Sequence, residues 1–289
     1  MKTRNLTDGQ AASFERDGVI TLDTPVPKAL IAEASKSMDE MFPLSFDKRN
    51  LPGEKPERYR VGINEPTEDV FVQILQNPFF EHLACQMLRA ESVHLVSIAL
   101  RNTHPEPGAE FSFKEHTDMS LSLKDLSATP RRMAVSLFLW LNDVNKERAP
   151  LMVRPGSHRR IAEIMGDNPR YIHRSWDPDD YINVPDEMSL PLYVPTGPND
   201  WPKAEFDDPI PCVARAGQVT VLNPAVIHAA STNIGHGNRQ SMHIDMWPAD
   251  VEIGETKNRR INREKYMGKL RTILPRERHS ILPAMTGGK

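Results

Sequence analysis

Among the ten histidines, His116 stands two residues before Asp118, directly after the β-type run Phe111-Ser112-Phe113. Residues two apart on a strand point to the same face, so this short segment can offer one imidazole and one carboxylate to a single metal ion. A third ligand must come from elsewhere. His228 closes the apolar run Val221 to Ile227 and lies 228 − 116 = 112 residues further on. Two imidazoles and a carboxylate on one face of an ion leave the opposite positions open, the arrangement that non-haem Fe(II) uses to take up a co-substrate and O₂. After His228 a polar, glycine-containing turn runs from Ser231 to Asn238, and Arg239 begins a return strand. A hairpin there sets Arg239 beside the His228 strand, where its guanidinium fork can take a carboxylate in bidentate fashion. A dicarboxylate that chelates iron at one end and meets Arg239 at the other would be 2-oxoglutarate.

A second H-x-D triplet, His243-Ile244-Asp245, supplies an internal control. Only His279 follows it, in a tail without strand pattern, so it reads as alternating residues of a strand. His158, in the turn Pro155-Gly156-Ser157-His158, reads as a structural hydrogen-bonder capping the next helix.

The elements that must hold these residues can be read from caps and periodicity. Thr7 and Gln10 form the ends of a capping box, and the helix they open should end near Gly18. Val19 to Leu22 reads as a strand, Pro27 opens an amphipathic helix carrying Leu30, Ile31, Ala34, Met38 and Met41, and Asn77-Pro78 opens another. From Ser92 the texture changes to short β-type runs, expected over 92–102, 109–117, 132–141, 150–154, 211–215, 218–223, 226–231 and 239–246. Eight short strands after a helical region predict a mainly β fold with flanking helices, a jelly-roll or cupin-like barrel. The expected organisation is a single domain over 1–289: a helical buttress at 1–91, a barrel core at 92–250 and a tail at 251–289.

In order and spacing the chain resembles the phytanoyl-CoA dioxygenase-like family of Fe(II)/2-oxoglutarate oxygenases. The resemblance rests on Phe14 to Ile20, the H-x-D at 116–118, Ser136 to Asp143, Val153 to Arg159, Ala216-Gly217-Gln218-Val219, and His228 followed eleven residues later by Arg239. It implies a double-stranded β-helix, iron at His116, Asp118 and His228, and 2-oxoglutarate paired with Arg239. It also implies that Trp140 lies against the co-substrate and that Ser97 and Arg101 face the same pocket. The implied reaction is hydroxylation of an unactivated C–H bond of a small molecule with O₂, releasing succinate and CO₂. The carboxylate at Asp118 disfavours halogenation, because related halogenases carry Ala or Gly there. One departure is Ala230: family members often place a hydroxyl residue two positions after the distal histidine, and Ser231 or Thr232 is expected to substitute.

Composition sets the outer limits. The 289 residues carry 39 acidic and 36 basic side chains, a net charge of −3. That balance argues against a dedicated nucleic-acid or anionic-membrane binder, since phosphate binding draws on a basic surplus. Two widely separated cysteines offer neither a disulfide framework nor a zinc cluster, and with no secretory or membrane-spanning pattern the expected location is the cytosol. Homo-oligomerisation stays open. Proline is in excess, 25 residues, and is densest between Pro169 and Pro211. The segment 161–210 also holds Tyr171, Trp176, Tyr181 and Trp201, with eleven acidic against three basic residues, and is expected to cover the mouth of the barrel as a lid that contacts substrate through these aromatics. Its charge suits a cationic substrate. The basic stretch 257–278 reads as a solvated helix. Alternatives remain: the same cofactor chemistry giving desaturation, cyclisation or epimerisation, a cupin-like binding protein without turnover, and a zinc hydrolase. Arg239 argues against the last two, which need no carboxylate fork beside the third ligand.

Overall fold

The structure, a computed structural model, describes residues 5–43, 60–106, 108–166, 181–182, 189–190 and 193–284. The capping box closes on both sides at Thr7 and Gln10 and starts α1 (Asp8–Asp17). Gly18, at φ +73°, ends it and turns the chain into β1 (Val19–Asp23); a left-handed residue at this position is where glycine costs least. Next come α2 (Lys28–Met41), β2 (Arg60–Asn64), α3 (Asp69–Leu75) and α4 (Pro78–Leu88), the last capped by the Asn77 side chain on the Phe79 amide. β3 (Val93–Thr103), β4 (Thr117–Met119), α5 (Leu123–Ser127), β5 (Val135–Trp140), β6 (Leu151–Val153) and α6 (Ser157–Met165) follow. Three short strands, β7 (Tyr181–Ile182), β8 (Ser189–Leu190) and β9 (Tyr193–Thr196), fall in the proline-rich region. The chain continues through β10 (Ile210–Cys212), β11 (Gln218–Leu222), β12 (His228–Ala230), β13 (Arg239–Pro248), β14 (Glu252–Ile253), β15 (Glu255–Thr256) and α7 (Lys257–Ile273).

The larger sheet runs β1-β11-β5-β13-β3-β2 and the smaller β10-β6-β12, the mainly β jelly roll with flanking helices that the strand pattern predicts. Alternation along the two longest strands divides its faces. Met242, Ile244 and Met246 of β13, with Leu95, Ile98 and Leu100 of β3, join the large apolar core shared with α2, α3 and α4. Burying side chains of this size stabilises by about 1.5–3 kcal/mol each, so the helices fix the sheet from behind. The opposite face of the same strands presents Arg239, Ser241, His243 and Asp245 across from Thr103, Arg101, Ala99 and Ser97. The same alternation brings Trp247 to this inner side, where it borders the cavity, while a register shift between Asp245 and Met246 leaves Val96 of β3 unpaired with β13.

The sequence expectations differ from the structure at several places. The turn 231–238 does not close a hairpin: β12 belongs to the smaller sheet and β13 to the larger, so Arg239 and His228 meet by lining one cavity from two sheets. The run 109–117 is not a continuous strand: only Phe113↔Ser231 and His116↔His228 pair as isolated bridges before β4. β2 and α3 carried no strong cap or alternation signal and were not anticipated; α5, also not anticipated, opens on a capping box between Ser122 and Asp125 that was there to be read. The basic stretch forms α7 with an apolar side, burying Tyr266, Met267 and Leu270, so it is more than a solvated helix.

Candidate active site

The metal-ligand candidates converge because two backbone bridges bring their segments together. His116 and His228 exchange amide-to-carbonyl hydrogen bonds of 2.9 Å in both directions, which sets their rings 4.4 Å apart. Asp118 is turned towards both, with Oδ1 3.7 Å from His116 Nε2 and Oδ2 3.4 Å from His228 Nε2. One ligand atom from each of the three lies within 4.8 Å of the others, a spacing that a single ion can span.

Backbone carbonyls fix the tautomers. His228 Nδ1 lies 2.8 Å from the Val226 carbonyl and His116 Nδ1 3.3 Å from that of Lys114. A carbonyl only accepts, so the protons sit on Nδ1 and both Nε2 atoms present lone pairs inward. Burial and the neighbouring His228 push the His116 pKa down. At His228 burial acts in the same direction, but the hydrogen bond and negative charge of Asp118 outweigh it and the pKa is raised. Further support comes from side chains outside the triad. Arg154 Nε donates to Glu115 Oε1 at 2.6 Å, Arg154 N to the Ile227 carbonyl at 2.9 Å, and Ile227 N to Ser157 Oγ at 2.8 Å. These bonds tie both histidine segments to the turn before α6. Ser157 thus makes the joint expected of His158, whose buried ring has no hydrogen-bond partner at Nδ1 and is pushed by burial down to about 4, so it stays neutral.

Arg239 is buried at the start of β13. Its Nη1 donates to Ser241 Oγ at 3.2 Å and its Nη2 to Thr103 Oγ1 at 3.0 Å, while Nε has no partner. Among the described residues no carboxylate lies within ion-pair distance of it. Burial, together with the charges of Arg60 and Arg101, pushes its pKa down to about 9. The guanidinium carbon lies 5.6 Å over the Trp140 ring. Trp140 is itself fully buried, its indole N–H donating to Thr220 Oγ1 at 2.8 Å. An enclosed guanidinium with a free N–H and two hydroxyl neighbours, beside three converging metal-ligand atoms, fits a dicarboxylate that bridges them.

These groups open on one cavity of about 510 Å³ between the two sheets, within the usual range of small-molecule sites. His116, Asp118, His228, Arg239 and Trp140 all line it. Ser97 and Arg101 line it as well, but their polar atoms are engaged by the protein: Ser97 Oγ donates to Asp245 Oδ2 at 2.7 Å, and Arg101 donates to the Leu100 carbonyl at 2.9 Å and to Asn64 Oδ1 at 2.7 Å. Ala230 borders the cavity, but the hydroxyls expected to compensate for it turn elsewhere. Ser231 Oγ donates to the Pro150 carbonyl and Thr232 Oγ1 pairs with Ser112; Thr103 and Ser241 supply the hydroxyls beside Arg239 instead. Both members of the second H-x-D lie on β13, as its alternation predicts, and both line the cavity, which the triplet alone did not reveal. Arg259, Asn262, Arg263 and Tyr266, spaced as one face of α7, form another wall. The i, i+3, i+4, i+7 spacing was the available signal, obscured by the surrounding charge. Of the lid aromatics, Tyr171 and Trp176 lie outside the described residues. Tyr181 is placed by its backbone opposite Thr256. Trp201 is not among the residues lining the cavity: its indole donates to Thr196 Oγ1 at 3.3 Å and its ring meets Phe206 edge-on.

Residues 14–241 match the family described as phytanoyl-CoA dioxygenase (PhyH). The chain belongs to this family. Similar curated proteins include the ectoine dioxygenase of Bordetella parapertussis, 27% identical over 250 residues that cover 83% of this chain and 74% of that protein. The ectoine dioxygenase of Sphingopyxis alaskensis is 27% identical over 192 residues, 63% of this chain and 59% of that protein. Among solved structures, the non-haem alpha-ketoglutarate-dependent carbocyclase SnoK from nogalamycin biosynthesis superposes with a TM-score of 0.59 at 14% identity, covering 90% of this chain and 91% of that one. EctD from S. alaskensis with 2-oxoglutarate and 5-hydroxyectoine superposes with a TM-score of 0.54 at 19% identity, covering 86% and 78%. As a PhyH-family enzyme the chain is an Fe(II)- and 2-oxoglutarate-dependent dioxygenase. Among the described residues no helix is long and apolar enough to cross a membrane.

Proposed function

We propose that this PhyH-family enzyme hydroxylates a C–H bond of a compact small molecule, with His116, Asp118 and His228 holding Fe(II) and Arg239 holding the far carboxylate of 2-oxoglutarate. The observation that carries the reading is Arg239: a buried guanidinium with an unpartnered Nε and, among the described residues, no carboxylate within ion-pair distance, opening on the same cavity as three convergent metal-ligand atoms. When bound, iron and 2-oxoglutarate supply O₂ activation coupled to decarboxylation, with succinate and CO₂ as co-products. The protein contributes the rest. Asp118 and the two Nε2 atoms would hold the ion, Trp140 and Phe138 would exclude water from the co-substrate's flank, and the packing of the two sheets around the cavity sets the distance between triad and Arg239.

The likeness to ectoine dioxygenases supports a substrate of ectoine's size, and the cavity volume is in keeping with one such molecule beside 2-oxoglutarate. The proline-rich insertion is proposed as the cover of this space. In support, β9 pairs with β4 next to Asp118, while β7 and β8 pair with β15 and β14, which adjoin the cavity-lining Gly254 and Glu255. Both cysteines are free, in keeping with a proposed cytosolic location.

The test is an anaerobic titration of the apo-protein with Fe(II) and then 2-oxoglutarate, followed by admission of air with ectoine as the first compound screened for succinate release. A weak visible charge-transfer band on addition of 2-oxoglutarate is expected, with succinate formed in air. No band and no succinate would overturn the reading.

A further inference from the structure

Asp245 is the one carboxylate of β13 that the assigned chemistry leaves unused. It faces the cavity from the inner side of the strand, and around the rest of its surface it is enclosed by β3 and β5, opposite Ser97 and Ser136. Both hydroxyls donate to it, Ser97 at 2.7 Å. Among the described residues, no Lys, Arg or His nitrogen lies within ion-pair distance of it. A carboxylate has about four lone-pair sites, so two donors leave it with acceptor capacity, and its open side is the cavity. Burial pushes its pKa up and the charge of Asp118 adds to the rise, against the pull of the two serine hydroxyls and the more distant charge of Arg101. An enclosed carboxylate with no cation in ion-pair contact is costly unless something brings the charge to it.

The groups around it define what that something is. His243, two residues away on the same face, is pushed well below its ordinary pKa by burial and by neighbouring arginines, so it is neutral and supplies no counter-charge. Arg101, which lines the same cavity, also lacks a carboxylate within ion-pair distance among the described residues; its donors go to carbonyls and to Asn64. Arg263 on the α7 wall is already paired with Glu255. Along β13 Arg239 and Asp245 are six residues apart, about 20 Å at strand spacing, so the carboxylate lies at the opposite end of the inner face from the co-substrate's anchor.

We propose that Asp245, supported by Ser97 and Ser136, is the substrate-recognition carboxylate of this enzyme and takes a cationic N–H group, an ammonium or amidinium, of a small zwitterionic substrate whose own carboxylate faces Arg101. The inference rests on the oxygenase reading above and adds the charge class of the substrate and the residue that selects it.

The probes are a matched pair of six-membered rings, pipecolate and cyclohexanecarboxylate, which differ by a ring NH₂⁺ in place of CH₂. Each is titrated anaerobically into the Fe(II)- and 2-oxoglutarate-loaded enzyme at pH 7, and dissociation constants are read from perturbation of the charge-transfer band. The wild type should bind pipecolate at least tenfold more tightly than cyclohexanecarboxylate. Asp245→Asn, which keeps size and accepts from both serines, should lose that preference while the 2-oxoglutarate dissociation constant stays within about twofold. Equal affinity for the two probes, no binding of pipecolate up to the millimolar range, or a preference that survives in Asp245→Asn would each overturn the proposal. The comparison within the wild type stands even if the variant does not fold. Formation of the band before either probe is added tests the oxygenase reading separately.

Discussion

Replacing Arg239 by Met removes the guanidinium but keeps most of the side-chain volume, and the structure predicts opposite effects on the apo-protein and on the complex. In the apo-protein the guanidinium is buried with no carboxylate within ion-pair distance among the described residues, and its descent from the ordinary arginine range to about 9 corresponds to several kcal/mol of unfavourable burial of the charged form. For a base with a lowered folded-state pKa, this penalty is present in full below about pH 9 and fades above it. Arg239→Met relieves the penalty and gives up two hydrogen bonds, to Ser241 and Thr103, worth about 1 kcal/mol each. The apo-protein should therefore melt at the same temperature as wild type or higher. With 2-oxoglutarate the sign reverses, because losing one partner of a buried, hydrogen-bonded charge pair costs about 2–5 kcal/mol. The 2-oxoglutarate dissociation constant should rise at least a hundredfold, measured by calorimetry on the Fe(II)-loaded enzyme, while Fe(II) affinity stays within about threefold. In the wild type, 2-oxoglutarate affinity should be flat up to about pH 9 and fall about tenfold per pH unit beyond it, as the unliganded guanidinium loses its proton. Equal loss of iron and 2-oxoglutarate in Arg239→Met, or a lower apo melting temperature, would refute this reasoning.

Asp118→Asn should abolish stoichiometric iron binding by metal analysis, whereas Asp245→Asn should retain it; the reverse result would move the metal to the second H-x-D. Trp140→Phe deletes the indole donor to Thr220 Oγ1 and should cost about 1–2 kcal/mol in denaturant unfolding, with an unchanged value showing that the bond contributes nothing. Gly18→Ala should cost about 2–4 kcal/mol, since its Cβ would meet Val226 Cγ2 at 2.2 Å and His158 Nδ1 at 2.7 Å on a backbone of positive φ. The same variant should weaken iron binding, because Val226 holds the His228 ring through its carbonyl; wild-type affinity in a destabilised protein would break that link.

What could be read in advance follows from how each residue is held. His116, Asp118 and His228 stand on short strand segments, where two-residue alternation constrains direction, so their convergence was legible from spacing; Arg239 reaches the same cavity from the other sheet, since β12 pairs with β6 and β13 with β3 and β5, and not through the expected hairpin. The caps at Thr7 and Asn77 were legible for a similar reason: a side chain and the amide it serves lie within three residues. Asp245 was not, although it sits in the same kind of triplet as Asp118. Its role depends on which face of β13 turns inward, and that is fixed by pairing with β3 and β5, more than a hundred residues away. Phase is also what hid α7: a helix whose charged residues interleave with the buried Tyr266, Met267 and Leu270 shows little apolar contrast, and only the barrel beside it decides that Arg259, Asn262, Arg263 and Tyr266 look inward. The missing information was therefore relational. A metal site built from two strand segments is encoded locally at each ligand, whereas the pocket that selects a substrate is encoded in the register between strands, and a sequence read alone contains the first much more directly than the second.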